Sequence, residues 1–347
     1  MHTKIIKATD EQGIEAASSQ AAEVIRRGGL AALPTETVYG LGANALDGEA
    51  VAGIFKAKGR PQDNPLIVHV SGMEMAERLL CDIPPCAYKL SEKFWPGPLT
   101  MIMRKNDIIP SEVSAGLDTI GVRMPNSRVF LKTIEKAGAP IAAPSANTSG
   151  RPSPTTAQHV YDDLNGKIEL IVDGGSCGVG IESTVVSLIG DVPVILRPGA
   201  VTPDDIASVT GSAEVSKSVL EEADAASAPP SPGMKYKHYS PSADVVLVSG
   251  SDEGFAKLAS ALDENTAVVC FGEDAGRIKH KCFVLGDKYD HAAQAAHLFD
   301  ILREIDKRGF NKAYIRLPDM DGIGLALYNR LIRAAAFNVI DCDKINK

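Results

Sequence analysis

Within Lys56-Ala-Lys-Gly-Arg-Pro-Gln-Asp-Asn-Pro-Leu-Ile-Val-His-Val70 a cationic loop runs straight into an apolar strand. Lys56, Lys58 and Arg60 occupy alternate positions, and a glycine and two prolines break the backbone around them. Leu66-Ile-Val-His-Val70 then reads as a short buried strand carrying one polar residue. A polyanion site needs such cations, because a guanidinium pairs with phosphate as a planar fork and an ammonium acts as a mobile point charge. Taken alone, the same residues describe a solvated charged turn, and the neighbouring segments must decide. Lys56 and Lys58 end a helix expected over 50–58, where cations suit the dipole. Arg60 lies beyond it and has no such reason. His69 fits either a satisfied core position or one that faces a ligand.

Towards the N-terminus, 10–27 reads as a helix capped by Asp10, with Ile14, Ala17, Ala21, Val24 and Ile25 at helical spacing. A strand over 30–33 runs into Pro34-Thr-Glu-Thr-Val-Tyr-Gly-Leu-Gly42. Thr35 and Thr37 offer hydroxyls there, and Gly40 and Gly42 allow close backbone approach. The piece is either a ligand loop at a strand end or a hydroxyl-capped tight turn. Neither a Walker loop nor G-x-G-x-x-G after a strand occurs.

Towards the C-terminus come helices over 72–80 and 86–94, the corner Trp95-Pro-Gly-Pro98, and strands over 99–103 and 119–122. Thr119 opens the second of these strands. Arg123 closes it, as a carboxylate clamp or a rim ion pair. After a helix over 129–137, small residues including Ala143 lead to a tip dense in Ser145, Asn147, Thr148 and Ser149. Hydroxyls and backbone amides there can bind phosphate oxygens or simply make a turn. Thr155 or Thr156 caps a helix to 164. A strand over 170–173 ends on glycines, Ser183 and Thr184 start another, and the strand 194–197 ends on Arg197. Together these place Lys58, Arg60, Arg123 and Arg197 beside four hydroxyl-rich loops, a cleft for a phosphate-bearing ligand and a second small polar substrate.

Length and composition bound the rest. The 347 residues suggest two domains. Hydrophobic content of 44% and charge of 23% are ordinary for globular protein. No apolar run reaches the ~18 residues of a membrane span, and the first ten residues lack a signal peptide's apolar stretch, so a cytoplasmic protein is expected. The six cysteines form no metal-type pairs and read as free thiols. A net charge of −8 argues against a general nucleic-acid coat while leaving room for a local basic cleft.

The expected division is a catalytic domain over 1–208, a linker over 209–242 and a second domain over 243–347. The linker is acidic, then Pro-rich and extended. It carries Met234, Tyr236, His238 and Tyr239, unusual in a plain spacer, so it is expected to act as a lid with His238 and Tyr239 near the nucleotide. Beyond it, strands and helices alternate, implying a small parallel Rossmann-like sheet. Ser249-Gly-Ser-Asp-Glu-Gly254 is a poor phosphate-loop match, and no nucleotide is assigned to it.

The motifs TETVYGLG, Lys58-x-Arg60 with Ser145-x-Asn147, DNPLIVH, WPGPLT, VRMP, APSAN, DGG, ESTVV and RPG resemble the YrdC-like domain across most of 14–205. The whole chain resembles the long, two-domain form of the L-threonylcarbamoyladenylate synthase family. That resemblance implies an α/β fold: an open, twisted YrdC-like sheet with a concave basic face, plus the smaller Rossmann-like domain. It implies a nucleotidyltransferase that converts L-threonine, bicarbonate or CO2, and ATP to threonylcarbamoyl-AMP and diphosphate, for tRNA threonylcarbamoyladenosine made by separate transferase proteins. By the same resemblance Lys58, Arg60, Ser145 and Asn147 are catalytic. Thr35, His69, Arg123, Ala143 and Thr184 surround threonine. Arg60, Asn64, Thr119, Ser145, Ser153, Arg197, His238 and Tyr239 line ATP. Mg2+ would be held by ATP phosphates, with no metal ligand from protein side chains. The competing readings are a structured-RNA-binding protein using the same basic cleft, and ordinary amino-acid activation independent of bicarbonate.

Overall fold

The computed structural model describes residues 2–221 and 239–345. Of the linker expected to act as a lid, residues 222–238, with Met234, Tyr236 and His238, lie outside the described residues. The chain divides into two compact units: Met1–Ser149 with Ser153–Lys235, and Tyr236–Lys347 with the short piece Gly150–Pro152.

The first unit holds strands β1 (Lys4–Lys7), β2 (Ala31–Leu33), β3 (Gly40–Asn44), β4 (Ile67–His69), β5 (Leu99–Arg104), β6 (Thr119–Arg123), β7 (Ile141–Ala142), β8 (Leu170–Asp173), β9 (Thr184–Ser187), β10 (Val194–Arg197) and β11 (Glu214–Val215). They form one mixed sheet in the order β1-β8-β2-β3-β7-β4-β6-β5-β9-β10-β11. The α/β expectation holds. The end of the expected glycine-rich turn, from Gly40 on, is in fact β3, paired antiparallel to β2 and β7. Gly42 is needed for that packing, since a Cβ there would lie 2.8 Å from Ile141 Cγ2. The sheet also runs beyond residue 208, because Glu214 and Val215 pair with β10.

Two apolar layers cover this sheet. Alternate residues of β2 and β7 divide between them, so the layers lie on opposite faces. Ala31, Leu33, Ile141 and Ala143 join one layer, and Ala32 and Ala142 the other. The first layer is built by the helices Glu11–Arg26 and Arg128–Ala137, through Ala17, Ala21, Ile25, Phe130 and Ile134. Asp10 caps the first of these helices, accepting from Gly13 N at 2.7 Å. The second layer takes Val51, Ile54 and Phe55 from the helix Gly48–Lys58, together with Val68, Met101, Val122, Val186 and Ile195. No residue of β5, β6, β9 or β10 belongs to the first layer. On those strands the face opposite Val122 and Val186 is therefore left to other side chains.

The second unit is a parallel sheet, β14-β13-β15-β12-β16 in order, of β12 (Asp244–Ser249), β13 (Thr266–Phe271), β14 (Phe283–Gly286), β15 (Lys312–Arg316) and β16 (Val339–Asp341). Its helices include Asp252–Ser260, His291–Lys307 and Gly324–Ala334.

Candidate functional site

Register places the polar residues of the first unit. His69 on β4 lies beside Arg123 on β6. Met101 pairs with Val122, which brings Thr100 of β5 level with Arg123, and Thr100 pairs with Val185 of β9. Val185 in turn pairs with Arg197 of β10. Paired residues share a face, so one row runs His69, Arg123, Thr100, Val185, Arg197 on the face that the first helix layer leaves uncovered. Arg197 joins this row through a register shift between Ile195 and Arg197. Ile195 packs with the second layer. Simple alternation would send Arg197 the same way, and the extra residue turns it over.

Arg123 is 4% exposed; its Nη2 lies 2.7 Å from Glu36 Oε1 and its Nε donates to Gly97 O at 3.2 Å. Glu36 Oε2 accepts from Asn126 N at 3.1 Å. The cation is therefore held in a buried ion pair and aimed by two anchors. His69 is buried, with its ring centroid 5.0 Å from that of Phe130, and its Nδ1 has no hydrogen-bond partner among the described residues. Burial, reinforced by the Arg123 charge, pulls its pKa down to about 3, so the ring is neutral at physiological pH. Arg197 donates through Nε to Ser183 O and through Nη2 to Ser183 Oγ, each at 3.1 Å, and Ser183 Oγ meets Thr100 Oγ1 at 2.8 Å.

At the start of β6, Thr119 lies four residues from Arg123, about 13 Å along the strand. Between them Gly121 leaves space, because a Cβ there would reach 3.0 Å from Thr100 Cγ2. Thr119 and Gly121 line a small cavity with Thr100 and Val185. The cationic loop divides by helical geometry. Lys56 is exposed and Lys58 is buried. Lys58 Nζ donates to Ser145 O, to Asn147 O at 2.6 Å and to Asn147 Oδ1 at 3.2 Å. Three bonds thus tie this ammonium to the Ser145–Asn147 turn. Ser145 Oγ donates to Asn147 Oδ1 at 2.6 Å. Arg60 Nη2 donates to Asn64 O and Pro65 O at 3.1 and 3.2 Å, and the buried Asn64 Oδ1 has no hydrogen-bond partner among the described residues.

Other expected site residues serve the backbone. Thr35 Oγ1 donates to Val38 O at 2.7 Å and accepts from Thr37 N and Val38 N, tightening the loop that carries Glu36. Thr184 Oγ1 donates to Val201 O at 2.6 Å. Ala143 N donates to Ile67 O at 2.9 Å, and Gly40 makes room for Ala143, whose Cβ would be 3.2 Å from an added one. Ser153 Oγ donates to the buried Glu182. Tyr239 belongs to the second unit, where its ring stacks 5.5 Å from Phe299 and 5.8 Å from the Arg330 guanidinium. Sequence reasoning missed Glu36. Its only signal was a carboxylate between two threonines of TETVYGLG, with its partner 87 positions away at Arg123.

Among the described residues no helix is long and apolar enough to cross a membrane, and no group of three or more His, Cys, Asp or Glu side chains could hold a metal.

Two family matches cover this chain. Residues 23–199 match the Sua5/YciO/YrdC family, described as "Telomere recombination", and residues 201–336 match "Threonylcarbamoyl-AMP synthase, C-terminal domain". The threonylcarbamoyl-AMP synthase of Pyrococcus abyssi is 45% identical over 329 residues, covering 92% of this chain and 94% of that one. The Bacillus subtilis protein of the same name is 43% identical, covering 93% and 94%. The crystal structure of P. abyssi Sua5 complexed with L-threonine superposes with a TM-score of 0.90 at 42% identity, over 98% of this chain and 99% of that one. This chain is a member of the two-domain, Sua5-type threonylcarbamoyl-AMP synthase family.

Proposed function

We propose that the chain condenses L-threonine, bicarbonate or CO2, and ATP into threonylcarbamoyl-AMP, releasing diphosphate, and that the row of His69, Arg123, Thr100 and Arg197 is where it does so. The observation that carries the reading is this: the sheet face that the first helix layer leaves free gathers two buried, pre-oriented guanidinium groups and a neutral imidazole within a chain similar over nearly its whole length to threonylcarbamoyl-AMP synthases.

Arg123, aimed by Glu36 and Gly97, offers its remaining donors to the threonine carboxylate. The neutral His69 beside it, with Thr35, Ala143 and Thr184, shapes the pocket around the amino acid. Triphosphate recognition falls to Arg60, Asn64, Thr119, Ser145, Asn147, Ser153 and Arg197, with Lys58 fixing the Ser145–Asn147 turn. On the ATP side the resemblance alone supports His238 and Tyr239. The threonine amine adds to CO2 and gives up a proton, forming a carbamate. A carbamate oxygen then attacks the α-phosphorus, the bond to the bridging oxygen of the β-phosphate breaks, and diphosphate leaves. The protein contributes position and charge, and no covalent bond to either substrate is required. With the nearby carboxylates Glu36 and Glu182 already engaged, Mg2+ would be held by ATP phosphate oxygens and water, neutralising the leaving group. The product would pass to tRNA-modifying transferases in the cytoplasm.

The test is diphosphate release by the purified chain. Release should require ATP, L-threonine and bicarbonate together. Release without bicarbonate would mean ordinary amino-acid activation. RNA binding without release would remove the enzyme reading.

A further inference from the structure

In open parallel sheets, ligands usually lie beyond the carboxyl ends of the strands. In the second unit that end is filled by the protein's own charges. Arg316, closing β15, donates to Gly250 O at 2.9 Å, Ser251 O at 3.3 Å and Asp252 Oδ1 at 2.9 Å, and Lys288 adds a bond to the same carboxylate.

Open space lies at the amino ends instead. A cavity of about 600 Å³ is bounded by Leu262, Lys279, Lys281, Phe283, Arg308 and Phe310, on the segments leading into β13, β14 and β15. That volume falls within the range of small-molecule sites, ~300–1,000 Å³. Its charge is lopsided, with Lys279, Lys281 and Arg308 facing the single carboxylate of Glu264. Arg308 pairs with Glu304 at 2.7 Å, whereas neither lysine has an ion-pair partner among the described residues. In a chain of net charge −8, such a concentration calls for a reason. The wall is aromatic: the rings of Phe283 and Phe310 meet edge-on at 6.0 Å, both half-buried, and the Arg308 guanidinium lies 5.0 Å from the Phe283 ring. The lysine loop is also pinned. The His280 ring nitrogens lie 2.9 Å from Lys281 O and 2.8 Å from Asp263 O, and Lys279 N donates to Ser260 Oγ at 3.2 Å. An aromatic wall beside cations carried on a pinned loop is complementary to an aromatic ring bearing an anionic tail.

We propose that this cleft is a second, non-catalytic site for a nucleoside phosphate, with the base against Phe283 and Phe310 and the phosphate between Lys279 and Lys281. The occupant is a free nucleotide or one nucleotide of an RNA strand. The experiment uses the full-length chain and its Lys279→Glu/Lys281→Glu double variant, which alters only exposed side chains. Two probes are titrated, a fluorescent AMP derivative and a labelled RNA hexanucleotide. The reversal should raise the Kd of at least one probe ten-fold or more. Weakening of AMP identifies a free-nucleotide site, weakening of RNA alone identifies a strand site, and unchanged affinity for both overturns the proposal.

Discussion

Lys58→Met separates two roles that the sequence leaves fused. If the lysine reached a phosphate, its loss would weaken ATP binding and spare the fold. In the structure its ammonium bonds instead to Ser145 O, Asn147 O and Asn147 Oδ1. Asn147 Oδ1 keeps a second donor in Ser145 Oγ, so the substitution strips this donor from two main-chain carbonyls. A buried acceptor left unpaired costs ~1–3 kcal/mol. Relaxation of the half-exposed Ser145, and removal of a desolvated charge, hold the sum to about 2–4 kcal/mol. For a unit of this size that corresponds to a melting temperature lower by about 5–15 °C. Thermal unfolding followed by near-UV circular dichroism gives the first readout, and diphosphate release against ATP concentration the second. The melting temperature should fall, and release should stay depressed at saturating ATP because Ser145 and Asn147 are no longer set. An unchanged melting temperature together with a raised ATP requirement alone would refute the bracing argument.

Glu36→Gln leaves Arg123 buried without its counter-charge; breaking such a pair costs ~3–5 kcal/mol, and the half-saturating threonine concentration should rise at least ten-fold while that for ATP holds, whereas parallel rises would detach Glu36 from the threonine side. His69 has a folded pKa of about 3 against an unfolded value near 6.5. Its contribution to stability is thus complete above about pH 6.5 and is lost progressively as pH falls towards 3, because the unfolded state binds the proton first. His69→Asn should flatten the stability–pH curve in that window, and identical curves would show that the ring is not buried neutral. Gly199→Ala puts a Cβ 2.4 Å from Thr184 N and 2.8 Å from Ser183 C, both main chain. The strand start carrying Ser183 must shift, and a stability loss of ~1–3 kcal/mol with a collapse of diphosphate release is expected; an active, stable variant would mean that this segment yields.

Much of this arrangement was legible in the chain. Asp10, the 3.6-residue spacing of Ala17, Ala21 and Ile25, and the apolar runs at 66–70 and 119–122 announced their elements, because local burial and capping agree there. The short strand Gly40–Asn44 was hidden, since its glycines read as a turn until Ile141 comes to lie against Gly42. The cations of the site were visible as residue types, but their directions were not. The sequence grouped Lys56 with Lys58 as cations at a helix end, whereas the helix sends Lys56 outward and Lys58 inward. The partnership of Glu36 with Arg123 depends on long-range folding that local pattern does not encode.

The extra residue beside Ile195 lets a single strand serve two masters. The same residues laid down in simple alternation, without the bulge, would have identical composition and hydropathy, yet they would drive the final guanidinium into the oily side of the sheet, where an unpaired charge is strongly disfavoured. Selection should therefore hold the bulge as strictly as the arginine itself, since flattening it while keeping the length of the chain would misplace the side chain by a whole face.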